Sequence, residues 1–156
     1  MGSQALIDTL KYKEHISING VDVSLHPAGH LLGSSQVRVS HRGTTWVVTG
    51  DYKLQNDSTC DCFESVSCDV FVTESTFGLP VYRWPDPEIV AQEINAWWRA
   101  NAESGRTSVL LAYALGKAQR LASLLDPSIG PIYGHGAVMK LVEAYRASGV
   151  RLPPIN

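Results

Sequence analysis

His30, in "AGHLLGS", and Asp51, closing "WVVTGD", are the two side chains whose types and settings could do chemistry together. A neutral imidazole is the commonest protein ligand for a transition metal. A carboxylate at the end of a buried strand opens onto the sheet edge, where α/β proteins bind ligands. Glu74 repeats the arrangement at the end of "CDVFVTE". Taken singly, each has an ordinary reading. His30 suits a half-buried histidine bonded to backbone, Asp51 opens a turn, and Glu74 caps one. Taken together, two acids after two apolar strands and a glycine-flanked histidine make a mixed oxygen and nitrogen donor set, suited to zinc or manganese.

Other candidates are weaker. "ALGKAQR" lacks the G-x-x-x-x-G-K-[ST] pattern of a phosphate-binding loop, because Ala118 follows Lys117 and the preceding glycine, Gly105, lies too far upstream. Gly116 and Lys117 instead read as a helix start. Lys117 and Arg120 are then candidate contacts for a nucleic-acid backbone. His135, between glycines, reads as a turn residue ahead of a helix, with a nucleic-acid contact as the alternative. His26 reads as a supporting residue at a strand end, and His15 and His41 as exposed near turns. Cys60, Cys62 and Cys68 are odd in number and lack paired C-x₂₋₄-C spacing, which favours free thiols over a structural zinc site.

These residues need elements to hold them. "HISI" and "VDVSLH" flank Asn19-Gly20, a hairpin signal. "SQVRVSH" alternates, and "RGT" turns the chain into "TWVV", a continuous apolar strand expected to be buried. A long polar loop follows, then "DVFV", also expected to be buried. The second half reads as α/β. Asp86 and Pro87 open a helix whose apolar face carries Ile89, Ile94, Trp97 and Trp98 and which stops at Gly105. "TSVLLAYA" reads as a buried strand, "GKAQRLASLL" as a helix, "PIYGH" as a short strand, and "AVMKLVEAYRASG" as a helix. That order predicts a parallel sheet with right-handed crossovers, with a further strand beginning at "VRLPPIN".

Composition sets wide bounds. The chain has 156 residues, 44% hydrophobic and 18% charged, with a net charge of -2. This fits a globular protein able to bury a core without disulfides. No global basic signature argues for nucleic acid, although a local basic groove on an acidic protein stays open. The start has no secretory-signal pattern and "VLLAYAL" is too short to span a bilayer. With the free thiols, this predicts a cytoplasmic protein with no membrane association.

"HPAGHLLGSSQVRV", "WVVTGDYK" and "CDVFVTESTFGLPVYRW" together resemble the metallo-β-lactamase fold with a β-CASP insertion, a superfamily of nucleases. "AGHLLGS", "TGD" and "ESTFG" match three of its motifs in order. "VLLAYALGKAQRLASLL" and "PIYGHGAV" extend the likeness, which runs from about Ile7 to the last residue. "TGDYK", "TESTFGLPVYRW" and "PIYGHGAV" are most similar to the bacterial ligase-associated DNA exonucleases. The resemblance implies an α/β protein: part of an αββα metallo-β-lactamase domain over residues 1–80, then part of a parallel α/β β-CASP domain over 81–156.

It also implies roles. His30 would ligate metal, and Asp51 would be a catalytic carboxylate bridging two divalent ions, zinc or manganese. Glu74 would orient a histidine general acid rather than bind metal. The ions would clamp a scissile phosphate for hydrolysis. The implied substrate is DNA, with RNA processing as the nearest alternative and a DNA ligase as an implied partner. A catalytically inactive interaction protein of the same fold is a second alternative, and a plain metallo-β-lactamase hydrolase such as a lactonase or thioesterase a third. The superfamily's H-x-H-x-D-H cluster does not occur in this sequence. The chain is therefore expected to be an internal piece of a longer enzyme, binding metal weakly and cleaving little by itself.

Overall fold

The computed structural model describes residues 8–156. Residues 1–7, including Ile7 where the resemblance begins, lie outside the described residues. The fold is mixed α/β: a five-stranded sheet followed by three helices.

Local turn chemistry builds the sheet. β1 (His15–Ile18) and β2 (Val21–Pro27) pair antiparallel, with Ile18 opposite Val21. Asn19 and Gly20 between them both have positive φ, at 52° and 80°. A two-residue turn of this kind matches the right-handed twist of its flanking strands. Arg42 and Gly43 repeat the device between β3 (Ser35–His41) and β4 (Thr44–Val48). β5 (Val70–Val72) returns after a long loop and pairs parallel to β4, giving the order β1-β2-β3-β4-β5.

The topology aligns three strand ends. β2 is antiparallel to β3, and β3 to β4, so β2, β4 and β5 all run the same way. Their C-terminal ends lead into His30, Asp51 and Glu74 respectively. Strand direction alone thus brings the three candidate residues to one edge of one sheet.

Burial departs from the sequence reading. The register puts Ser24, Arg38, Val47 and Phe71 on one face, with His26 beside Gln36. That face is packed: Ser24, Gln36 and Val47 are fully buried. The opposite face carries Ile16, Val23, Leu25, Val37, Val39, Trp46, Val48 and Val72, and Trp46, Val48 and Val72 are each more than 40% exposed. The expectation of a buried strand therefore fails for one side of β4, and for both sides of β5, where Phe71 is also 46% exposed. Glu64 of loop 51–69 meets the packed face, accepting from Gln36 Nε2 through its carbonyl and lying against His26 through its carboxylate, while residues 9–12 lie against Leu25 and Ser35 at one end of the apolar face.

Two expected strands are likewise not formed. Residues 107–113 make no ladder, and Val109 and Leu111 are 70% and 92% exposed. A strand needs a partner for its backbone groups, and this segment finds none among the described residues. Residues 131–135 are also irregular. There, however, Asn156 N–H donates to the Ile132 carbonyl and Gly134 N–H to the Asn156 carbonyl, both at 3.0 Å. That exchange is the hydrogen-bond pattern of one parallel bridge, spanning the helix between. The parallel sheet expected of the second half is reduced to this single contact.

The helices follow their caps. α1 (Pro87–Glu103) starts where the Asp86 carboxylate accepts from Glu88 N–H, with Pro87 at its first position. It buries no residue fully. Polar ties hold it instead: Asn95 bonds both the Leu124 carbonyl and the Asp126 N–H, and Arg99 pairs with Asp126 at 3.2 Å. α2 (Lys117–Ser123) is capped by Gln119, whose side chain accepts from Gly116 N–H. In α3 (Gly136–Ala147), His135 is the N-cap, its Nδ1 accepting from Ala137 N–H at 3.2 Å. Ala122, Val142 and Ile155 form a small core, with Ile132, Val138, Met139 and Leu152 around it. Tyr145 is buried beside it, its hydroxyl accepting from Leu32 N–H at 3.4 Å. The helices thereby brace the loop that carries His30. No helix is long and apolar enough to cross a membrane among the described residues.

Candidate metal centre

His30 sits in a closed loop after β2. Ser34 Oγ accepts from both His30 N–H and Leu31 N–H at 3.1 Å, and Ala28 N–H donates to the Ser34 carbonyl. The base of the loop is packed hard. Ala28 is fully buried and accepts from Lys53 N–H at 3.1 Å. Gly29 has φ +71°, and a β-carbon there would lie 2.3 Å from the Lys53 carbonyl oxygen and 2.9 Å from Phe63 N. Only glycine fits. The packing that demands it also locks the His30 loop to the segment carrying Asp51.

His30 Nε2 and the nearer Asp51 carboxylate oxygen are 3.9 Å apart, with side-chain exposures of 37% and 74%. The distance is too long for a hydrogen bond. Two donors on one tetrahedral zinc with bonds of about 2.0–2.2 Å lie about 3.4 Å apart, so the pair needs to close by about half an ångström to share one ion. With that closure the pair fits a divalent ion as two of its ligands. A zinc site commonly takes four donors. No cluster of three or more histidine, cysteine or acidic side chains able to hold a metal occurs among the described residues.

Glu74 stands beside this pair. Thr76 N–H donates to its carboxylate at 2.7 Å, so it caps the turn after β5. Hydrogen bonds from Thr76, then one from the Tyr52 backbone and the positive potential of His30, hold its pKa below the usual glutamate value. Turn capping and a place at the site thus coexist in one carboxylate.

The remaining candidates fall elsewhere. Lys117 is exposed, with its ammonium 4.7 Å from the centre of the Tyr113 ring. Arg120 turns inward, its Nε 3.5 Å from Asp57. His26 Nδ1 lies 3.2 Å from Glu64, a supporting contact at the strand end. His15 and His41 are exposed. The three cysteines are free thiols, and burial pushes Cys60 above its ordinary value.

Asp57 is what the sequence reading missed. Its side chain is only 4% exposed. It pairs with Lys53 and Arg120 and accepts from Thr59 N–H at 2.9 Å and from the Thr59 hydroxyl at 2.6 Å. The Asp-x-Thr spacing is a local turn signal, but nothing in a polar loop announces burial. Burial raises its pKa, and the hydrogen bonds and charge of Lys53, with those from Thr59, outweigh it, so the net shift is downward. A carboxylate depressed in the folded state adds stability above its unfolded value of about 3.9 and loses it as pH falls toward the folded value. Asp57→Asn is expected to cost about 3 kcal/mol at pH 7 and to flatten the loss of stability below about pH 4. Urea unfolding midpoints at pH 7 and across the acid range check this. Unchanged stability at neutral pH would contradict it.

No family model matches the chain. Individual proteins do. A probable DNA ligase from Opitutus terrae is 32% identical over 133 residues, covering 85% of this chain and 13% of that protein. Endoribonuclease ysh1 from Aspergillus fumigatus is 31% identical over 124 residues, 78% of this chain and 14% of its own length. Cleavage and polyadenylation specificity factor subunit 3 from Dictyostelium discoideum is 30% identical over 122 residues, 77% and 16% respectively. The chain is thus similar to proteins named as a DNA ligase and as endoribonucleases. It spans about one-seventh of the length of the curated relatives it matches.

Proposed function

We propose that this chain forms part of the active site of a metal-dependent nuclease of the metallo-β-lactamase/β-CASP type, one that hydrolyses phosphodiester bonds in DNA. The observation that carries the reading is the His30–Asp51 pair: two donors 3.9 Å apart, set by strand ends that run the same way. In this reading His30 presents Nε2 and Asp51 a carboxylate to divalent ions, zinc or manganese. Such ions, when bound, neutralise a scissile phosphate and make water a competent nucleophile near neutral pH. Glu74, kept ionised by its backbone partners, offers an acceptor that orients a proton donor for the leaving sugar oxygen. Lys117 is an exposed cation available to a phosphate backbone. Donors beyond this pair come from groups outside it. Residues 1–80 would contribute the metallo-β-lactamase portion and 81–156 the β-CASP portion. DNA is favoured by the ligase-associated motifs and by the relative named as a DNA ligase.

RNA is the second reading, favoured by the relatives named as endoribonucleases. End-labelled DNA and RNA oligonucleotides of one sequence, incubated with the intact gene product and Mn²⁺ or Zn²⁺, separate the two. The expected result is stepwise shortening of DNA. Cleavage of RNA alone would transfer the reading to RNA processing, and cleavage of neither would refute the nuclease assignment.

A further inference from the structure

The buried carboxylate of Asp57 belongs neither to the sheet edge nor to the metal pair, yet it touches the supports of both donors. On one side it grips Lys53, two residues after Asp51. On the other it holds Arg120 of α2. Gly116, the N-cap of α2, lies so close to Leu31 that a β-carbon would come within 3.1 Å of that side chain. Leu31 follows His30 directly. Lys53 N–H also bonds the Ala28 carbonyl below the His30 loop. A path of short contacts therefore runs from Asp51 through Lys53, Asp57 and Arg120 to α2, then through Leu31 to His30.

We propose that Asp57 is a positioning residue for the His30–Asp51 pair, fixing the spacing of the two donors by holding Lys53 and Arg120 on a single buried carboxylate. This rests on the reading of that pair as a metal site. Thr59 fixes the carboxylate itself, leaving it no freedom to follow either cation alone. Arg120, offered by the sequence as a nucleic-acid contact, has its Nε on this internal bridge.

A group that hydrogen-bonds a metal ligand directly is typically worth about 10- to 100-fold in metal affinity, and Asp57 acts one contact further out, so the low end of that range applies. The test uses the intact gene product, with Mn²⁺ as the probe. Arg120→Met keeps the aliphatic stem and the Asp57–Lys53 pair, so it folds even where Asp57→Asn does not. Both variants are expected to weaken Mn²⁺ binding about tenfold. On a labelled oligonucleotide they lower kcat and leave KM within about twofold. Arg120→Lys restores most of the affinity. An unchanged Mn²⁺ dissociation constant in Arg120→Met overturns the proposal, even if the melting temperature falls. A raised KM, with a salt dependence shallower by about one ion, overturns it in favour of direct phosphate contact by Arg120. His30→Ala and Asp51→Ala are measured alongside. If they leave Mn²⁺ affinity intact, the metal-site reading fails and the positioning proposal falls with it. If they abolish it while Arg120→Met and Asp57→Asn do not, the positioning proposal alone is refuted.

Discussion

His30→Ala or Asp51→Ala in the intact gene product is expected to lower phosphodiester cleavage about 10³-fold and to reduce bound metal. The size follows from the role. A metal acting as Lewis acid on a phosphoryl oxygen supplies several kcal/mol of transition-state stabilisation, and each 1.36 kcal/mol is about tenfold in rate. Removing one of two donors 3.9 Å apart leaves the ion without its partner on that side. Neither residue supports the fold heavily: Asp51 is 74% exposed and among the described residues its side chain makes no ion pair except with His30. The variants should therefore unfold at nearly the wild-type urea concentration. Activity lost together with fold would mean the residues are structural. Activity retained in both would refute the site.

Gly29→Ala is expected to be the most damaging single-methyl change in the His30 loop, costing about 3 kcal/mol or more. Two effects add. The left-handed backbone costs a non-glycine residue about 1–2 kcal/mol, and forcing volume into packed structure costs about 1–3 kcal/mol. The opposing atoms are the Lys53 carbonyl and the Phe63 amide, both backbone, so neither swings aside as a side chain would. Relief requires the Lys53 segment to leave Ala28, which carries Asp51 away from His30. Urea unfolding and Mn²⁺ titration should thus fall together. A variant within about 0.5 kcal/mol of wild type would show that the loop is not held as described.

Much of the fold was legible because it is locally encoded. Asn19-Gly20 writes its turn into two residues. Asp86-Pro87 opens α1 and Gly149 follows the end of α3, each by a rule that needs no distant partner. What failed depends on distant partners. "TSVLLAYA" has strand composition, but ladder bonds need a neighbour, and Leu111 lies bare. Trp46 and Val48 read as core because they are apolar, yet burial is decided by what covers a face. The candidate site divides the same way. His30, Asp51 and Glu74 were visible because glycines and strand ends mark them. Asp57 was not, because its two cations come from positions four residues before it and from a helix far along the chain.

The most direct measurement is an anomalous difference map at the zinc edge, from crystals of the intact gene product grown with zinc. One peak about 2.0–2.2 Å from both His30 Nε2 and an Asp51 oxygen is the predicted result. Zinc found only on other side chains, with the imidazole and the carboxylate facing apart, would contradict the account.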